Sequence, residues 1–115
     1  MKILFELNDS PYGSDRNYNA LRTAIQLQKD DKEIKIYVYL MSDAVISAQE
    51  DQRVKQGSYS IGTMLTEIIN AGGEVKICTS CAEARGVKAL IEGAAFSTLG
   101  DLTKWIVSSD KVMTF

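Results

Sequence analysis

The chain has 115 residues, 45 % apolar and 24 % charged, the mix of a globular protein whose length fits one domain over residues 1–115. Net charge is −2 with acidic and basic residues interspersed, so neither nucleic acid nor a membrane surface is an expected partner. No apolar run has the length of a membrane span or a secretory core, and the expected location is the cytoplasm, where thiols stay reduced.

Residues 2–7, KILFEL, are a short apolar run expected as a buried strand. NDSPYGSD follows, a cluster of turn formers. Ser14 or Asp15 is placed to cap a helix running to about Lys29, with Tyr18, Leu21, Ala24 and Ile25 on its apolar face. Residues 34–41, IKIYVYLM, are β-branched and aromatic and form the strongest strand pattern in the chain. SDAV then opens a short helix, with Ser42 or Asp43 as its cap. Residues 49–58 are polar and contain glycine, the pattern of a mobile loop.

Ser60 caps the next expected helix. Its stripe of Ile61, Met64, Leu65, Ile68 and Ile69 keeps helical spacing until Gly72 and Gly73 stop it. Residues 75–78 read as a short strand ending at Cys78, and residues 79–85 as a short helix stopped by Gly86. Leu90 and Ile91 fit either a strand or a turn. Ser97 or Thr98 caps a last helix carrying Leu99, Leu102, Trp105 and Ile106, and residues 111–115 read as a final strand.

Strands alternating with helices predict an α/β fold, a mainly parallel sheet of about five strands covered on both faces. Such sheets place sites at the carboxyl ends of their strands. Three loops qualify here: residues 8–15, Ser42 with Asp43, and residues 78–85. In the first two, Tyr12, Gly13, Ser14 and Asp43 are candidates for holding a small anion at a helix N-terminus. The same residues serve equally as a turn and as caps. PYGSD is neither a Walker loop nor a G-x-G-x-x-G fingerprint, and no cofactor is expected.

Cys78 and Cys81 are the only cysteines and stand as C-x-x-C. A structural zinc site needs four N or S ligands, and a chain with two cysteines and no histidine supplies half of them, so no metal is expected. A thioredoxin-like disulfide would want a cis-proline facing it, whereas the single proline, Pro11, lies far upstream. A nucleophilic thiolate is the third reading. Cys78 ends a strand and precedes a helix, so free backbone N–H groups can face its sulfur. Arg85 falls two helical turns on, where its guanidinium would favour the charged thiol, or would simply complement the helix C-terminus before Gly86. Packing as a small core residue is the fourth. The lack of histidine excludes Cys–His and Ser–His–Asp hydrolases.

PYGS in the first loop, LMSDAV after the second strand, the C-x-x-C followed by RGV, and the ending STLGDLTKWIVSSDKVMTF together resemble the YchN-like branch of the DsrE/DsrF superfamily. The resemblance runs nearly end to end. It implies a three-layer α/β/α sandwich around a parallel sheet and a homo-oligomer, trimer or hexamer. Related sulfur-relay subunits, TusD and DsrE, receive persulfide on one strand-end cysteine, which matches Cys78. Cys81 matches the YchN-like branch. The resemblance thus implies a sulfur carrier or sulfurtransferase with Cys78 as persulfide acceptor, Cys81 as resolving thiol, Arg85 as electrostatic support, and sulfur donor and acceptor proteins as partners. The alternatives are a small oligomeric ligand-binding or regulatory protein using Tyr12–Ser14 and Asp43, and a dithiol redox switch.

Overall fold

In β1 (Lys2–Leu7), Ile3, Phe5 and Leu7 turn to one face of the sheet and Leu4 to the other, and all four are buried. That double burial is the mark of a strand sandwiched between layers. The computed structural model describes residues 1–56 and 59–115. After β1 come α1 (Arg16–Asp30), β2 (Lys35–Leu40), a 3-10 helix (Ser42–Ala48), α2 (Ile61–Asn70) and β3 (Glu74–Cys78). The chain then forms α3 (Thr79–Ala84), β4 (Ala94–Ser97), α4 (Leu99–Ser108) and β5 (Lys111–Thr114). The five strands make one sheet in the order β4-β3-β2-β1-β5, and every neighbouring pair is parallel.

The two faces are covered unequally. Ile3, Phe5 and Leu7 line up with Ile36, Val38 and Leu40, and these with Val75 and Ile77, under α1, α2, the 3-10 helix and α3. The helices answer with Ala20, Leu21 and Ala24, with Ile61, Leu65 and Ile68, and with Ala44, Val45 and Ala48. On the opposite face Leu4, Tyr37 and Tyr39 pack against Leu102 and Trp105 of α4, with Met41 and Cys78 at the edge of the cluster. The Trp105 ring stacks on Tyr37 at 4.5 Å between centroids and takes the Lys76 ammonium over it at 4.6 Å.

Caps and stops follow the sequence in most places. The Ser60 side chain accepts from the Thr63 N–H, and the Thr98 side chain from the Asp101 N–H. Asp15 holds the cap position of α1 without a side-chain bond, and Ser14 instead donates to Asp9. Neither Ser42 nor Asp43 caps the helix after β2, because that helix is a tight 3-10 segment whose cap position is Met41. Gly72, at φ +95°, takes the left-handed conformation that turns the chain out of α2.

The one strand missed by pattern is β4. Leu90 makes an isolated antiparallel bridge to Gln49, Ile91 lies in neither helix nor strand, and the strand follows at Ala94–Ser97. Ser97 is therefore the end of a strand and not a cap. AAFS carries little β preference, and its placement comes from pairing with β3 along Val75–Ala94 to Cys78–Ser97. Of the loop expected over residues 49–58, positions 57 and 58 lie outside the described residues. Residues 49–56 hold no helix or strand beyond that bridge. Among the described residues no helix is long and apolar enough to cross a membrane.

Because α4 covers its face nearly alone, Trp105→Ala should destabilise the protein by about 3 kcal/mol. Val107, 87 % exposed on the same helix, should cost less than about 0.5 kcal/mol on replacement by alanine. Urea unfolding of the two variants, compared at equal m-value, checks the difference.

Candidate functional site: a dithiol at the carboxyl end of β3

Cys78 is both the last residue of β3 and the residue preceding α3, with φ −59° and ψ 117°. Its sulfur therefore stands where the side-chain oxygen of an N-cap residue would stand. Ser80 and Cys81 occupy the second and third positions of the helix, and their N–H groups face the sulfur without closing a tight cap bond. The Ser80 hydroxyl lies 3.3 Å from the sulfur, and the Cys81 thiol is also turned toward it. Partial burial pushes the Cys78 thiol up, but these hydrogen-bonding groups together outweigh burial and hold it below the ordinary thiol range. Cys78 is half-buried and touches both apolar cores, so the sulfur sits at the seam between the layers.

Cys81 has the opposite setting. Its hydrogen bond to Cys78 pushes it up first, and burial adds to this. The backbone N–H of Ser42 and the charge of Arg85 pull the other way without reversing it. Ser42 has φ +49°, a left-handed backbone that is uncommon for a residue with a side chain. Arg85 is held beside Cys81. Its Nε donates to Asp43 Oδ1 at 2.8 Å and its Nη1 donates to the Cys81 carbonyl at 3.1 Å.

A cavity of about 320 Å³ opens over Cys78, lined by Thr79, Ser80, Glu83, Ser97, Thr98 and Leu99. The Thr79 hydroxyl donates to the Ser97 carbonyl at 2.8 Å and ties α3 to β4 across its floor. Tyr39, buried below, donates its hydroxyl to the Thr98 carbonyl at 2.8 Å.

A model of the DsrE/DsrF-like family matches residues 1–115. The chain belongs to the DsrE/DsrF-like family. It is 38 % identical over 116 residues to protein YchN of Escherichia coli strain K12, covering 99 % of this chain and 98 % of that one. It is 35 % identical over 117 residues to MJ0989 of Methanocaldococcus jannaschii, with full coverage of both. The crystal structure of YchN from E. coli matches at a TM-score of 0.94 and 38 % identity, over 99 % of this chain and 98 % of that one. MTH1491 of Methanobacterium thermoautotrophicum, at 0.80 and 16 % identity over 99 % and 98 %, shares the fold.

In this DsrE/DsrF-like chain the residues singled out from sequence fall into two groups. Cys78, Cys81, Arg85 and Asp43 come together where β2 and β3 end. The placement of Arg85 differs from the expectation that it supports Cys78, since Asp43 and the Cys81 carbonyl hold it at the second thiol. Tyr12, Gly13 and Ser14 form a separate turn, with Asp43 not among their partners. The Tyr12 hydroxyl donates to Gln52 Oε1 at 2.6 Å and accepts from the Ile61 N–H at 3.2 Å. Gly13, at φ +99°, supplies the bend, and Ser14 binds the Asp9 carboxylate. Ser80, Glu83, Ser97 and Thr98 were missed. Ser80 was legible, because the residue after an N-cap's neighbour is where a cap sulfur finds its donors. Ser97 and Thr98 arrive through β3–β4 pairing, which has no local signal.

Alkylation of Cys78 in a Cys81→Ser protein should accelerate with a pH midpoint below the free-thiol value of about 8.5. Ser80→Ala should move that midpoint upward by removing a hydrogen bond to the thiolate. Cys81, followed in a Cys78→Ala protein, should show a lower midpoint than in the wild type, since Cys78 is the leading upward influence on it. A Cys78 midpoint above the free-thiol value would contradict the geometry.

Proposed function

We propose that this protein is a carrier of sulfane sulfur, accepting it on Cys78 as a persulfide. Membership in the DsrE/DsrF-like family supports a role related to sulfur relay. The observation that carries the reading is the placement of Cys78 as a strand-end sulfur with hydroxyl, thiol and N–H donors around it and a cavity above it. The Cys78 thiolate attacks the outer sulfur of a donor persulfide, R–S–SH. The donor S–S bond breaks, R–S⁻ leaves, and Cys78–S–SH forms with no change in overall oxidation state. Thiolate character at Cys78 favours the attack.

Cys81 gives the carrier a second outcome. Its thiolate can attack the inner sulfur of the Cys78 persulfide, expelling HS⁻ and leaving a Cys78–Cys81 disulfide. A thiol held above its ordinary range is a slow nucleophile at neutral pH, which leaves time for transfer to an acceptor. The same pair supports the reading as a dithiol switch. The ligand-binding reading draws less support, because Tyr12 and Ser14 are engaged within the protein.

We further propose assembly with copies of itself, as a trimer or hexamer, in the cytoplasm. Leu99, Ile106 and Val107 are exposed on α4, which fits a face covered by a second copy. Light scattering should return a mass several times that of one chain, and a clean monomer would remove the assembly.

Intact-mass analysis tests the carrier. A cysteine desulfurase or a persulfidated small thiol should add one sulfur atom, lost on reduction. Cys78→Ser should abolish the adduct and Cys81→Ser should prolong it. If the Cys81→Ser protein takes up no sulfur from a competent donor, the carrier reading fails.

A further inference from the structure

The cavity above Cys78 has an asymmetry of charge that bears on which donor it admits. Of its lining side chains Glu83 alone is charged, and it is exposed to solvent. A second carboxylate, Asp101, stands directly behind the wall, accepting from the Ser97 hydroxyl at 2.9 Å. Among the described residues no lysine or arginine lines the cavity, and Lys76 and Lys104 act on Asp101 behind its wall. Arg85 is paired with Asp43 on the side of the 3-10 helix. Lys76 lies over the Trp105 ring beneath α4. The cavity is otherwise lined by hydroxyl groups and Leu99.

We infer that Glu83 is a specificity-determining residue that turns the cavity against anionic sulfur donors and toward neutral or cationic persulfides. The inference rests on Cys78 being the sulfur acceptor. In the transfer R–S–SH plus Cys78–S⁻ gives Cys78–S–SH plus R–S⁻, and the group R must stand at the cavity mouth while the S–S bond breaks. A carboxylate on R meets Glu83 with no lining cation to compensate, and an ammonium on R meets an opposite charge. The interaction acts across a solvated mouth, so salt weakens it over a Debye length of about 8 Å at physiological ionic strength. Glutathione persulfide, with more carboxylates than ammonium groups, is disfavoured. Cysteamine persulfide, with an ammonium and no carboxylate, is favoured.

The test is the rate of sulfur loading on Cys78 in the Cys81→Ser protein from each of these two persulfides, followed by intact mass at low salt. Intrinsic reactivity differs between donors, so the readout is the change in their rate ratio on substitution. Glu83→Gln should shift the ratio about threefold toward the glutathione donor, the size expected for one exposed charge. Added salt should shrink that shift. Glu92→Gln, in the loop before β4 at the other end of the sheet, should leave the ratio unchanged. An unchanged ratio in Glu83→Gln, or an equal shift in Glu92→Gln, would overturn the role of Glu83 while leaving Cys78 as acceptor. Loading from neither donor would instead sink the carrier reading itself, and this inference with it.

Discussion

Because all five strands run in one direction, their carboxyl ends share one edge of the sheet, and the register of β2 against β3 decides what stands beside what. Leu40 pairs with Ile77. One residue past Ile77 the chain reaches Cys78, and two past Leu40 it reaches Ser42. The pairing brings an unusual backbone turn and an acidic side chain to the second thiol of a C-x-x-C far away in sequence. A slip of one residue would turn Cys78 from the seam between the layers to the other face. The ion pair of Arg85 with Asp43, the Ser42 N–H at Cys81 and the opposed settings of the two thiols all depend on that register.

The unequal layers serve the same edge. The large core under α1 and α2 fixes the strands, and the thinner cover of α4 leaves room above β3 and β4. Thr98, the cap of α4, directly follows β4, and Tyr39 reaches up from the sheet to donate to the Thr98 carbonyl. That bond and the Trp105 stack hold the start of α4 beside Cys78. The cavity is thus the gap between two helix starts, one from each neighbouring strand. This accounts for its lining of hydroxyl-bearing residues, which cap and flank helix starts. Of these hydroxyls that of Ser80 lies at the Cys78 sulfur, while those of Thr79 and Ser97 donate to the Ser97 carbonyl and to Asp101.

The two cysteines differ in setting because the helix is polar. A residue at the cap position faces the N–H groups of the first turn, and a residue one turn in does not. Identical thiols three residues apart are therefore unequal before any partner arrives. Cys81 donates toward Cys78, which stabilises the first thiolate and holds back the second. In the proposed carrier that division would make loading fast and discharge slow. Arg85 and Asp43 are half-exposed, so their pair contributes modestly to stability. Its effect is to hold the guanidinium at the rear of the dithiol.

The sequence by itself determined the elements that rest on local pattern. Four of the five strands, the four α-helices and the Ser60 cap follow from apolar period, β-branching and capping chemistry, which act over a few residues, while the choice of Thr98 over Ser97 as the cap of α4 came from β4. The same local logic placed Cys78 at a strand-to-helix junction and made it the center of the site. It also misdirected in places. A serine and an aspartate after β2 look like caps until the helix proves to be 3-10, and AAFS looks like a loop until β3 pairs with it. The partner of Arg85 could not be read, since Asp43 lies more than forty residues away and meets it only through parallel pairing. The separation of Tyr12–Ser14 from Asp43 was hidden for the same reason. Tertiary structure alone decided these points, because a parallel sheet joins residues across long crossovers and leaves no mark of that contact in the residues themselves.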